Sequence, residues 1–99
     1  MFVVRDIMFC KPGQVRQMVQ KFVTLDKQLR QAGLGSMRVM TDVSSERYWM
    51  VVAETEVESL EKHAEMMKKS MEMKEVQDTM KGYHDLVVEG RREIYQLEK

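Results

Sequence analysis

Residues Phe2–Cys10 read FVVRDIMFC, and the pattern of this stretch decides the fold. β-Branched and aromatic residues dominate it, which predicts a strand. Alternation places Phe2, Val4, Asp6, Met8 and Cys10 on one face and Val3, Arg5, Ile7 and Phe9 on the other. Both faces are mostly apolar, so the strand is one that must be covered on both sides. Lys11-Pro12-Gly13 then breaks it.

Working outward, Val15, Met18, Val19, Phe22, Leu25, Asp26 and Leu29 recur at helical spacing, and the helix stops at Gly33 and Gly35. Ser36–Val43 alternates as a second strand. Ser44-Ser45-Glu46 makes a short turn into Arg47–Val57, a third strand that carries Tyr48 and Trp49 on opposite faces. Ser59 caps a second helix with a Leu60, Ala64, Met67, Met71 stripe. The next apolar set is Met73, Val76, Met80 and Tyr83, displaced by about 200° around the helix, which predicts a break near Ser70–Met73. Gly82 is the expected C-cap, and Leu86–Leu97 the last strand.

The order β-α-β-β-α-β gives an α+β, ferredoxin-like domain over residues 1–99, an antiparallel four-stranded sheet with its helices on one face. Helices cover only one face of a sheet whose strands are apolar on both. The natural cover for the other is a second copy, so a homodimer is expected.

Composition narrows the function. Sixteen Lys+Arg against sixteen Asp+Glu leave no basic footprint for nucleic acid or for an acidic membrane surface. A single Cys in 99 residues cannot form an internal disulfide, and no apolar run approaches the roughly 20 residues of a membrane span. A cytoplasmic location is the expectation. Two His residues 21 apart, with no carboxylate or Cys at a recognised spacing, call for no metal site; no cofactor is expected.

The chain resembles the dimeric α/β-barrel superfamily, which includes antibiotic-biosynthesis monooxygenase-like and NIPSNAP-like proteins. The resemblance is carried by Cys10-Lys11-Pro12-Gly13, by the hairpin into Trp49–Glu56, by Glu54-Thr55-Glu56 followed by Ser59-Leu60-Glu61, and by Glu93-Ile94-Tyr95. It implies two sheets closing into a barrel between protomers, with a pocket in each between helices and sheet. Cofactor-free oxygenation and haem degradation both occur in the group. The haem-degrading signature is an Asn on the first strand and a Trp and a His on the second helical region. Here those positions hold Asp6, His63 and Gln77, so that signature is not matched.

The candidate catalytic residues are Asp6, His63 and His84. Asp6 lies in an apolar strand, either as a pocket acid or base or as the ion-pair partner of a basic neighbour such as Arg92. His63 is a general base or an edge-of-core histidine. His84 is a second candidate base, or simply a histidine at a helix C-terminus. Trp49, Met67, Met71 and Tyr83 are candidate ligand-binding residues. Arg5 is expected to pair with a carboxylate, and Cys10 to be a buried hydrophobe. Five of the 11 Met residues fall between Met66 and Met80, where a flexible, polarizable wall would adapt to an irregular ligand. Two functions follow. One is a small-molecule-binding protein, monooxygenase-like, for an apolar or aromatic substrate; the other is a non-catalytic dimeric binding or interaction module.

Overall fold

A computed structural model describes residues 1–99. Its elements are β1 (Phe2–Cys10), α1 (Val15–Gln31), β2 (Arg38–Thr41), β3 (Met50–Val57), α2 (Leu60–Glu72), α3 (Lys74–Met80), a 3₁₀ turn (Tyr83–Leu86) and β4 (Val87–Gln96). The sheet is antiparallel in the order β2-β3-β1-β4, and the fold is the α+β, ferredoxin-like one. No helix is long and apolar enough to cross a membrane.

The stretch FVVRDIMFC is β1, residue for residue. Asp6 lies opposite Ala53 on β3 and Arg92 on β4, so these three share the helix-covered face. On that face Cys10, Met18, Phe22, Val51, Ala53 and Leu86 form the main core, with Met8 and Val39 packed against it. α1 supplies Met18, Phe22 and Leu29. It ends in a Schellman motif: the Leu34 N–H donates to Leu29 O (2.9 Å) and the Gly33 N–H to Arg30 O (3.1 Å). That motif requires a left-handed residue, and Gly33 takes it at φ 70°. α1 is tied to α3 by Lys21 Nζ, which donates to the carbonyls of Thr79 (2.9 Å) and Lys81 (2.8 Å), and by Gln28 Nε2, which donates to Thr79 Oγ1 (2.8 Å).

The expected break between helices falls at Met73, where ψ is 125°. Gly82 does take a left-handed conformation (φ 81°), but as the N-cap of the 3₁₀ turn, because α3 has already ended at Met80.

The β2–β3 connection differs from its sequence reading. β2 is four residues long, and residues 42–49 form an exposed loop instead of a tight turn. Asp42 Oδ1 accepts the Met50 N–H at 2.7 Å, which holds the loop shut from one side. From the other side, the Arg47 guanidinium pairs with Glu89 and lies 4.0 Å above the Phe9 ring. Tyr48 and Trp49 are therefore loop residues rather than opposed strand residues, and Trp49 is left-handed at φ 61°.

The second face of the sheet is not an open apolar surface either. Ile7, Phe9 and Met50 are buried on it within the single chain. Around them, Arg5 Nε donates to Glu54 Oε1 (2.7 Å), Arg38 pairs with the same carboxylate, and Arg91 pairs with Glu46 (2.9 Å) and Glu93 (3.1 Å). Arg91 also lies over Phe9. The expected partner of Arg5 is thus Glu54, which is buried.

Candidate functional site

α2 is amphipathic, yet Ser70 is its only buried residue. Its inward stripe, Lys62, His63, Met66, Met67, Ser70 and Met71, faces a cavity of about 490 Å³. The opposite walls come from β1 (Asp6, Met8), α1 (Phe22, Leu25, Leu29) and β3 (Ala53, Thr55, Val57). Leu34–Met37, Glu56, Glu58, Val76, Met80, Tyr83 and Arg92 complete it. A cavity of this size suits a small molecule. Six of the 11 methionines line it: Met8, Met37, Met66, Met67, Met71 and Met80. Met37 is fixed there by its backbone N–H, which donates to Asp26 Oδ1 at 2.8 Å.

The inward stripe is rotated from the one the sequence suggested. Leu60 and Ala64 are exposed, while His63, Met66 and Ser70 turn inward. A serine can be buried here because its hydroxyl donates to Met67 O at 2.8 Å and so carries its own satisfied hydrogen bond.

The polar groups of the cavity converge at one end. Arg92 Nε donates to Asp6 Oδ1 at 2.7 Å across the β1–β4 pairing. His63 shares the lining with them, and its Nε2 is buried with no hydrogen-bond partner. Burial pushes the His63 pKa below the usual histidine range; the Arg92 charge adds to this and the Asp6 charge opposes it. The shift favours the neutral imidazole, and its Nε2 is buried beside the cavity without a hydrogen-bond partner. NMR titration of His63 checks this. Its pKa is expected below the usual value, moving up in Arg92→Gln and further down in Asp6→Asn. Because the folded value is the lower one, the unfolded chain takes up the proton first as pH falls. The stability that His63 contributes is thus complete above about pH 6.5 and lost as pH drops below it.

Of the residues singled out from sequence, Asp6, His63, Met67, Met71 and Tyr83 are brought together on this cavity. His84 and Trp49 are not. His84 is exposed, with its ring 4.0 Å from that of Tyr83, which does reach the lining. Trp49 is 47% exposed on the 42–49 loop; only its carbonyl reaches the sheet, accepting the Cys10 N–H at 2.9 Å. Arg92, weighed in sequence only as a partner for Asp6, is itself a lining residue. Cys10 is buried, which pushes its thiol pKa up and makes it a poor nucleophile. No group of three or more His, Cys, Asp or Glu side chains is placed to hold a metal ion.

No family model matches the chain, and no curated protein matches it. Solved structures do. An uncharacterized NIPSNAP-like domain protein from Burkholderia xenovorans superposes with a TM-score of 0.80 at 21% identity, over 97% of this chain and 84% of that one. A NIPSNAP family protein from Agrobacterium tumefaciens gives 0.81 at 16% identity, over 96% and 90%. The fold is the one these proteins share. An antibiotic biosynthesis monooxygenase has it too, at a TM-score of 0.73 and 13% identity over the whole of both chains. The resemblance drawn from Lys11-Pro12-Gly13 and the closing strand is therefore matched at the level of the fold.

Proposed function

We propose that the protein binds a small, largely apolar or aromatic molecule in the cavity beneath α2 and acts on it as a cofactor-independent, monooxygenase-like enzyme. The observation that carries this reading is a methionine-lined cavity of about 490 Å³ with His63, whose Nε2 has no hydrogen-bond partner, in its lining. A neutral imidazole nitrogen away from water is a general base for an acidic O–H or C–H proton. His63 takes that proton and the electron pair stays on the substrate as an enolate or carbanion; the carbanion reduces dioxygen and forms a C–O bond to it, the His63 imidazolium returns its proton to the resulting peroxide anion, and the hydroperoxide loses water to leave a carbonyl on the substrate. Arg92, oriented by Asp6, lies where it can steady the developing negative charge. The fold shared with an antibiotic biosynthesis monooxygenase is consistent with this chemistry.

The test uses wild type and His63→Gln with 1-naphthol and with 2-tetralone, an enolisable ketone. Each compound is expected to raise the melting temperature of both proteins with the logarithm of its concentration. Oxygen uptake is expected from wild type and not from His63→Gln. Equal uptake by the two proteins removes His63 as the base, and the absence of any thermal shift removes the ligand site.

A second copy of the chain is proposed as the partner of the free sheet face. There Met40 (38% exposed) and Tyr95 (48% exposed) flank a surface carrying Arg5, Arg38, Arg47 and Arg91 beside Glu46, Glu54, Glu89 and Glu93. Because the face carries both signs, a two-fold axis can bring its arginines against the partner's carboxylates. Light scattering is expected to give the mass of a dimer, and a monomer would contradict the pairing.

A further inference from the structure

We propose that α2 is a lid. It pivots on extended joints at Ser59 and Met73, and its outward swing admits ligand to the His63 end of the cavity. The proposal rests on the small-molecule reading above and adds how that site is reached. What holds each helix carries the first half. α1 and α3 are tied by Lys21 and Gln28, whose side chains donate across at 2.8 and 2.9 Å. No side chain of α2 forms a hydrogen bond or ion pair with α1 or the sheet. The Lys62 ammonium pairs with neighbouring Glu58 (3.1 Å), and the Ser70 hydroxyl donates within the helix. One side-chain bond latches α2 to α3: Gln77 Nε2 donates to Met71 O at 2.7 Å. Ser70 is the only buried residue of α2, so outward movement exposes little surface that water does not already reach.

The joints and the imidazole carry the second half. Ser59 (φ −144°, ψ 150°) and Met73 (φ −76°, ψ 125°) are extended residues on either side of the helix. Turning about them moves α2 as a body and leaves its own hydrogen bonds intact. With α2 in place, His63 Nε2 is buried and unpartnered, although the residue lines the cavity. A substrate reaches that nitrogen only when α2 stands further from the sheet. Closure afterwards keeps water from the reacting atoms.

Ser70 is 3% exposed on the inward face of α2, so Ser70→Cys places a near-isosteric thiol that a reagent meets when the lid opens. Cys10, 4% exposed in the main core, is the reference in the same molecule and reports global unfolding. With iodoacetamide and mass spectrometry, the introduced thiol is expected to be alkylated about tenfold or more faster than Cys10. Addition of 1-naphthol is expected to slow that alkylation. Gln77 is exposed, so Gln77→Ala removes the latch without touching the core. It is expected to speed alkylation of the introduced thiol by about fivefold, the factor one hydrogen bond gives. The association of 1-naphthol with the Gln77→Ala protein, followed by stopped-flow fluorescence, is expected to be faster than with wild type by the same factor. That measurement stands even where Ser70→Cys fails to fold. Equal alkylation of the two thiols, or association unchanged in Gln77→Ala, overturns the lid, and a thermal shift with 1-naphthol then leaves the ligand site in place. The absence of any thermal shift overturns the ligand site and the gating role of α2 together.

Discussion

Replacing both Arg5 and Arg38 by Met lowers the unfolding free energy by about 3 kcal/mol, the lower end of the cost of leaving a buried charge without its partner. The reason is the asymmetry of the cluster. Glu54 is only 4% exposed, whereas the Arg5 and Arg38 side chains are 42% and 71% exposed. Removing the two guanidiniums strands a carboxylate that water does not reach. Removing the carboxylate instead, as Glu54→Leu, lets both guanidiniums turn to solvent and adds apolar area beside Val52. That change is expected to cost less than about 1 kcal/mol. Urea denaturation of the three proteins measures the difference. The double variant is also expected to melt on the order of 15 °C lower, since 1 kcal/mol moves the midpoint of a domain this small by several degrees. Similar losses for the double variant and for Glu54→Leu would show that the cluster is solvated and that Glu54 is not the constrained member.

Much of the fold was legible because local pattern and global fold agree. FVVRDIMFC alternates two apolar faces and becomes the central strand β1. The change of stripe after Met71 marks the α2–α3 break at Met73, because a displaced apolar face cannot stay against one core on a continuous helix. The 42–49 loop was misread for a reason equally physical. Tyr48 and Trp49 have strong strand preference, but Asp42 captures the Met50 N–H and Arg47 reaches across to Glu89 and Phe9. The Arg47 contacts span residues far apart in the chain, and together with the Asp42 bond they override local propensity.

The polar end of the site was legible as well, since an Asp in an apolar strand and a His beside an apolar stripe stand out. The true inward face of α2 was not, because Ser70 reads as polar until its hydroxyl is seen to be satisfied by Met67 O. Nor could periodicity reveal the cavity. An apolar stripe shows that a helix face avoids water, not whether protein or empty space lies opposite it.

The cavity itself is tested by Ser70→Leu. Ser70 lines the cavity, and a leucine there is expected to grow into that space. Filling a void adds apolar burial and contacts, worth about 1 kcal/mol or more. The same change in a fully packed interior costs about 1–3 kcal/mol. The melting temperature of Ser70→Leu is measured with and without 1-naphthol. The unliganded variant is expected to melt at a higher temperature than wild type, with the response to 1-naphthol abolished. A lower melting temperature with the response to 1-naphthol undiminished would contradict it.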